Sequence, residues 1–408
     1  MITNDAVIVG LLAATLGVLF YTSSSPRFAA FYRYVPSVLL AYFVPSLYGT
    51  FGLIDAEGSN LYFVASRFLL PTTLVLLTVS VDLRGILRLG PKALVMFLTG
   101  TLGIVLGGPI AILIFSVVSP ETVGGAGPDA VWRGLTTIAG SWIGGSANQA
   151  AMKEVFEVSD EMFSTMIAVD ILVANVWMAV LLFLASRSEG IDRRLGADTS
   201  AIDDLRRRVT EFRDRHARIP TLADLMMVCG VGFGAMGLSH FLAEPLAAWI
   251  ARTAPELERL SLTSSFFWLV VIATTIGLAL SFTRARELEG VGASSIGSAL
   301  LYFLIATIGM GMDITAVVER PALFALGAVW LGFHALLLLI VGRLIKAPTF
   351  YLAVGSQANV GGAASAPVVA SAFHPSLAPV GVLLAVLGYA VGTYGGWLTG
   401  QLMRIIAE

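Results

Sequence analysis

A chain of 408 residues with 57% hydrophobic and 13% charged residues carries about half the charge of a soluble domain, which has roughly 25%. The formal net charge of −2 offers no electrostatic footprint for nucleic acid, and a single cysteine, Cys229, excludes an internal disulfide. The apolar residues gather in runs that match the roughly 20 residues needed to cross a hydrocarbon core, so the expected class is an all-α polytopic membrane protein.

The first run, residues 6–20, follows "MITND" without a basic n-region, which favours a span over a cleaved signal peptide. Spans at 34–53, 61–80 and 93–118 come next. The chain then turns polar over residues 135–152, where "GSWIGGSANQAA" sets glycines beside Ser, Asn and Gln. A span at 162–185 completes the first half. Residues 186–220 form the one long hydrophilic stretch; Asp203 with Arg207, and Glu211 with Arg215, sit four apart, as on an amphipathic surface helix. Spans at 222–242, 262–282, 292–312 and 322–341 follow. A second polar interruption, residues 350–373, contains "GSQANVGGAASAP", and a last span covers 380–403.

Ten crossings result if each interruption dips in and returns, and twelve if each passes through. Cytoplasmic loops accumulate Lys and Arg. With ten crossings and an external N-terminus, 18 of the 25 basic residues fall inside and six outside, with Arg67 within a span. Twelve crossings give no better than 15 against nine. Ten crossings with two re-entrant hairpins are therefore expected, in a plasma (inner) membrane, with both termini outside and 186–220 cytoplasmic.

Five spans per half make the second half enter from the opposite face. The halves also share an order of features. "VSVDLRGILRLGPKALVMFLTG" is echoed by "GMDITAVVERPALFALGAVWLG", with Asp82 and Asp313 closing the third spans and Pro91 and Pro321 opening the fourth. The division predicted is an N-terminal repeat (1–185), a linker (186–220) and an inverted C-terminal repeat (221–408), each repeat with a re-entrant or discontinuous segment. Such repeats mark secondary transporters. Lipid cannot satisfy exposed backbone, so broken helices at membrane depth survive only within protein or along a watery cavity. Close packing of small residues is the competing explanation, but the amides must find partners. Ser141, Ser146, Asn148, Gln149, Ser356, Gln357, Asn359 and Ser365 are accordingly candidates for solute binding, and Gly144, Gly145, Gly361 and Gly362 for ion coupling through their backbone.

These motifs resemble the DUF819 family over nearly the whole chain. The resemblance implies a place among the cation–proton antiporters and anion transporters, alongside bile-acid/sodium and glutamate/sodium symporters. It further implies inverted repeats and a core that moves against a scaffold. Many of those relatives have a discontinuous helix that crosses where a hairpin is expected here.

Asp170, in "MIAVDILVANVW", lies deep in the fifth span, where a carboxylate usually serves an ion or proton. It is the leading ion-coupling residue, with Asn175 five positions on; the competing expectation is a structural pair with Arg67, which could also meet an anionic substrate. No second carboxylate follows Asp170, so Na⁺ or H⁺ is the expected coupling ion, with no other cofactor. Asp82 and Asp313 are read as caps, and His240 and His334 as satisfied core residues. No P-loop, HExxH, CxxC or GxSxG pattern occurs, so no enzyme is expected. The leading function is ion-coupled secondary transport of a small polar or anionic organic solute. The alternative is a ligand sensor on the same scaffold with 186–220 as its output. The bilayer and a small solute are the expected partners, and a homodimer is left open.

Overall fold

Asn4 opens the first helix, its side chain accepting from the backbone N–H of Ala6 and Val7. In the computed structural model that helix, α1, covers Asp5–Ser23. The structure describes residues 1–408 except 33, 34, 36, 57, 82–88, 198–219, 261, 313–319, 375 and 376. Asp82, Asp313 and the paired charges at 203–215 lie outside the described residues.

Helices follow wherever the apolar runs predicted them: α2 (Ser37–Thr50), α3 (Leu61–Val79), α4 (Pro91–Val118), α5 (Val131–Val155) and α6 (Asp160–Ser186). A short α7 (Ser188–Leu195) precedes α8 (Leu222–Thr253), α9 (Ser265–Leu280), α10 (Ala293–Met310) and α11 (Ala322–Leu344). The chain ends with α12 (Thr349–Val360), α13 (Gly362–Phe373) and α14 (Ala378–Ala407). Eight of the described helices are long and apolar enough to span; α2 and α9 are apolar but shorter. Helix α8 runs eleven residues past the expected end, because Glu244 and Arg252 close the apolar run without breaking the helix. On α4 the outward residues Leu98, Leu102 and Leu106, four apart, are exposed. An apolar stripe facing outward suits lipid, and the chain is a multi-pass membrane protein.

The two polar interruptions are helical hairpins. Gly145 takes φ 73° and ψ −175°, a conformation that a side chain would strain, and the chain reverses there. The base closes where Arg133 Nη1 donates to the Phe156 carbonyl at 2.6 Å and Ser159 N to the Pro128 carbonyl at 3.1 Å. In the second hairpin the turn falls between α12 and α13, where Gly362 has φ 59°. Its ends meet through Phe350 and Phe373, ring centroids 5.3 Å apart.

Helix α6 relates the hairpins. The first has its base at the start of α6, through the Ser159–Pro128 bond. The second reaches the other end, where Thr349 N and Oγ1 donate to Asp192 of α7 at 2.8 and 2.6 Å. A helix of 27 residues is about 40 Å long, so the hairpins approach from opposite ends. Their tips touch: a Cβ built on Gly362 would lie 3.9 Å from Gly145 Cα.

Packing cuts across the two sequence halves. Helices α1–α3 and α8–α10 form one bundle; α4–α6 and α11–α14 form another, which holds both hairpins. The bundles meet mainly where α14 and α5 touch α3 and α9.

The closed base of the first hairpin sets a labelling pattern. Single cysteines at the exposed positions Glu121 and Glu157, in a Cys229→Ser background, are expected to react with an impermeant thiol reagent from the same face. Labelling of one only after permeabilisation contradicts the hairpin.

Candidate functional site

A cavity of about 130 Å³ lies at the meeting of the tips. Hairpin one contributes Ser141, Gly145, Ser146 and Gln149; hairpin two contributes Gln357, Val360, Gly361 and Ser365; α6 contributes Asp170, Ile171, Ala174, Asn175 and Met178. Tyr42 of α2 closes it from the other bundle. Nine of the fourteen residues singled out from the sequence are therefore gathered in one place.

Asp170 is held by neutral donors. Trp142 Nε1 donates to Oδ1 at 2.6 Å, Gln149 Nε2 donates to Oδ2 at 3.0 Å, and Ser141 also bonds the carboxylate. The competing expectation, a pair with Arg67, is not met. Arg67 instead meets Glu154 at 3.5 Å and lies over the Phe266 ring at 4.2 Å. None of the ion pairs among the described residues includes Asp170. Two buried polar atoms in the lining, Tyr42 Oη and Gln357 Oε1, lack a hydrogen-bond partner. Such orphans at this depth need an explanation.

Asn148 and Asn359 were expected to face a ligand, but the structure places them behind the cavity. Asn148 Nδ2 donates to the Gly144 carbonyl at 2.9 Å and the Tyr389 carbonyl at 3.2 Å, while its Oδ1 accepts from Thr393 at 2.7 Å. Asn359 Nδ2 donates to the Gly355 carbonyl at 2.9 Å and the Phe97 carbonyl at 3.0 Å, and its Oδ1 accepts from Thr101 at 2.7 Å. The pattern is the same twice: one carbonyl four residues back, one carbonyl on a neighbouring helix, and the Thr four residues beyond that carbonyl. Each asparagine clamps a hairpin to a helix of the other sequence half. Ser356 is likewise engaged, accepting from Trp177 Nε1 and bonding His334 Nε2, each at 2.8 Å. His334 Nδ1 meets the Gly100 carbonyl at 2.8 Å, and His240 Nε2 meets the Arg67 carbonyl at 2.8 Å, so both imidazoles are satisfied. Gly144 packs under Asn148 and the Gly388 carbonyl. Gly362 sits at the tip contact.

Three features escaped the sequence reading. Gly388, Gly392, Gly396 and Gly400 of α14, four apart, form the face on which the first hairpin lies; a Cβ on Gly392 would come 2.6 Å from Gly144 Cα. That spacing was readable as a close-packing stripe. Tyr42 gave no signal within its apolar run. The third feature is an ionic cluster at the base of the first hairpin. Lys153, 5% exposed, meets Asp160 at 2.8 Å and Tyr62 Oη at 2.7 Å, and Tyr62 donates to Glu154. Tyr62 lies about 90 residues from Lys153 and Glu154 in the chain, too far for a local pattern to show.

A model of the family described as "Protein of unknown function (DUF819)" matches residues 10–406. The chain belongs to the DUF819 family. This DUF819 protein is also similar to a protein of Bacillus subtilis (strain 168) named "Uncharacterized membrane protein YjcL". The two are 24% identical over 366 residues, covering 86% of this chain and 85% of that one. The family match, residues 10–406, runs through both hairpins, so the cavity lies within it.

Removing either buried asparagine takes away three hydrogen bonds, two of which tie a hairpin to a helix of the other half. Asn148→Ala and Asn359→Ala are each expected to destabilise the protein by about 1–3 kcal/mol, read as a lower unfolding midpoint in detergent. Midpoints equal to the parent in both would show that the clamps carry no load.

Proposed function

We propose that this DUF819 protein is a secondary transporter that couples Na⁺ or H⁺ movement to that of a small polar solute, by displacement of the hairpin-bearing bundle against α1–α3 and α8–α10. One observation carries the reading. Two interrupted segments from opposite ends of α6 bring polar side chains to one cavity, and the two bundles face each other across it. The architecture is transporter-like. Interrupted helices survive at membrane depth where they line a cavity, and transporter sites form where such segments from two repeats converge.

The two halves are best read as inverted repeats. Each runs four helices, one hairpin and a long helix, and the hairpins approach from opposite ends of α6. This order supports the kinship with the cation–proton antiporters and anion transporters that the motifs suggest. Placing 186–220 in the cytoplasm, by its arginines, puts the first hairpin's base and both termini outside. Asp170, at the middle of α6, is then the coupling carboxylate.

Motion of one bundle against the other must break the bond between Thr274 of α9 and Thr393 of α14, 3.1 Å between hydroxyls. A Thr274→Cys/Thr393→Cys pair in a Cys229→Ser background places two thiols at that contact. In proteoliposomes, uptake of amino acids, dipeptides and organic acids is measured under an inward Na⁺ or H⁺ gradient. The oxidised pair is expected to fall to the level of empty liposomes and to recover on reduction. Full uptake by the cross-linked protein contradicts relative motion, and saturable binding without uptake in the parent points to a sensor.

A further inference from the structure

We infer that the occupant of the hairpin-tip cavity is a small monovalent cation, either an alkali ion or the protonated amine of the solute, held by Asp170 together with amide and hydroxyl oxygens. This rests on the reading of the cavity as the transport site and assigns the charge of what enters it.

The amides supply oxygen ligands. Gln149 gives its Nε2 to the Asp170 carboxylate, Asn175 gives its Nδ2 to the Ile171 carbonyl at 2.8 Å, and Gln357 gives its Nε2 to Ser365 Oγ at 2.7 Å. The first two partners accept only, so those amide orientations are fixed by chemistry. Each of the three amides is thus anchored through its nitrogen and keeps its oxygen free of a protein partner. Gln357 Oε1 is the clearest case: it lies in a residue 1% exposed, lines the cavity and has no partner. Tyr42 Oη, also in a residue 1% exposed, is the second such atom.

The charge of the lining sets the sign of the occupant. No Lys, Arg or His contributes to it, and Asp170 is its one charged residue. The helix ends do not reverse the sign. At each tip one limb ends and another begins, so the partial positive charge of an N-terminus lies beside the partial negative charge of a C-terminus. Oxygen ligands of this kind replace the hydration shell of a cation. A single carboxylate neutralises one positive charge and leaves a divalent ion uncompensated in a buried site. The cavity of about 130 Å³ suits a small ion or a small amine.

The test is thermal unfolding of the purified protein in NaCl, KCl, ammonium chloride and methylammonium chloride, against choline chloride and sodium gluconate at equal ionic strength. The inference predicts a saturable upward shift that follows the small cation and ignores the anion. Sodium and ammonium salts separate a coupling ion from an amine-bearing solute. Asp170→Asn is expected to lose the shift. Tyr42→Phe and Gln357→Met, each removing an unpartnered oxygen with little change of volume, are expected to need at least tenfold more salt for half the shift. These two decide the matter if Asp170→Asn does not fold. A shift that follows the anion, or variants that keep the parent response, overturns the inference. Cation-dependent stabilisation without flux leaves the inference standing and removes transport. Flux by the parent with no cation-dependent shift does the reverse.

Discussion

A backbone that stops being helical in the middle of a membrane has nowhere to place its hydrogen-bonding groups except against protein. That constraint organises this molecule. Two hairpins turn at glycine in the interior, and each is fixed by an asparagine making three bonds of the same pattern. Because these clamps reach α14 in one case and α4 in the other, each hairpin belongs structurally to the opposite half of the sequence. The glycine stripe of α14 follows from the same demand. The first hairpin can be held by backbone-level contacts only if the helix beneath it has no side chains in the way.

With the tips fixed, the cavity is what remains between them. Its polar lining carries one charge, a carboxylate near the middle of α6, beside amides anchored through their nitrogens. Tyr42, arriving from the other bundle, makes the cavity a boundary feature, so relative displacement of the bundles would change its shape. At the base of the first hairpin, Lys153, Glu154 and Asp160 meet Tyr62 and Arg67 of α3. This cluster joins the two bundles at one face around the buried Lys153.

The span positions were legible because hydrophobic length is a direct physical requirement of a bilayer, and so was the interruption of two segments. The return of each segment to its own side was argued from arginine and lysine placement; the Arg133–Phe156 and Phe350–Phe373 contacts bring the two ends of each segment together. Inside the hairpins the reading was less sharp. Sequence marks Asn148 and Asn359 as amides needing partners, but not whether the partner is a ligand or a helix; only the fold brings Thr393 and Thr101 within reach. Arg67 and Asp170 looked like natural partners because both are charges in apolar runs, yet a nearer carboxylate, Glu154, takes the arginine. Tyr42 and the Lys153 cluster depend on contacts between distant segments and left no local trace.

The most direct measurement of the central claim is the accessibility of one cavity position from each face of the membrane. A single cysteine at Ser365, in a Cys229→Ser background, would be treated with a small impermeant thiol reagent on right-side-out and inside-out vesicles. A cavity that opens alternately to either side predicts labelling in both preparations, slowed in both when the bundles are cross-linked. Labelling from one face only, or from neither, would contradict it.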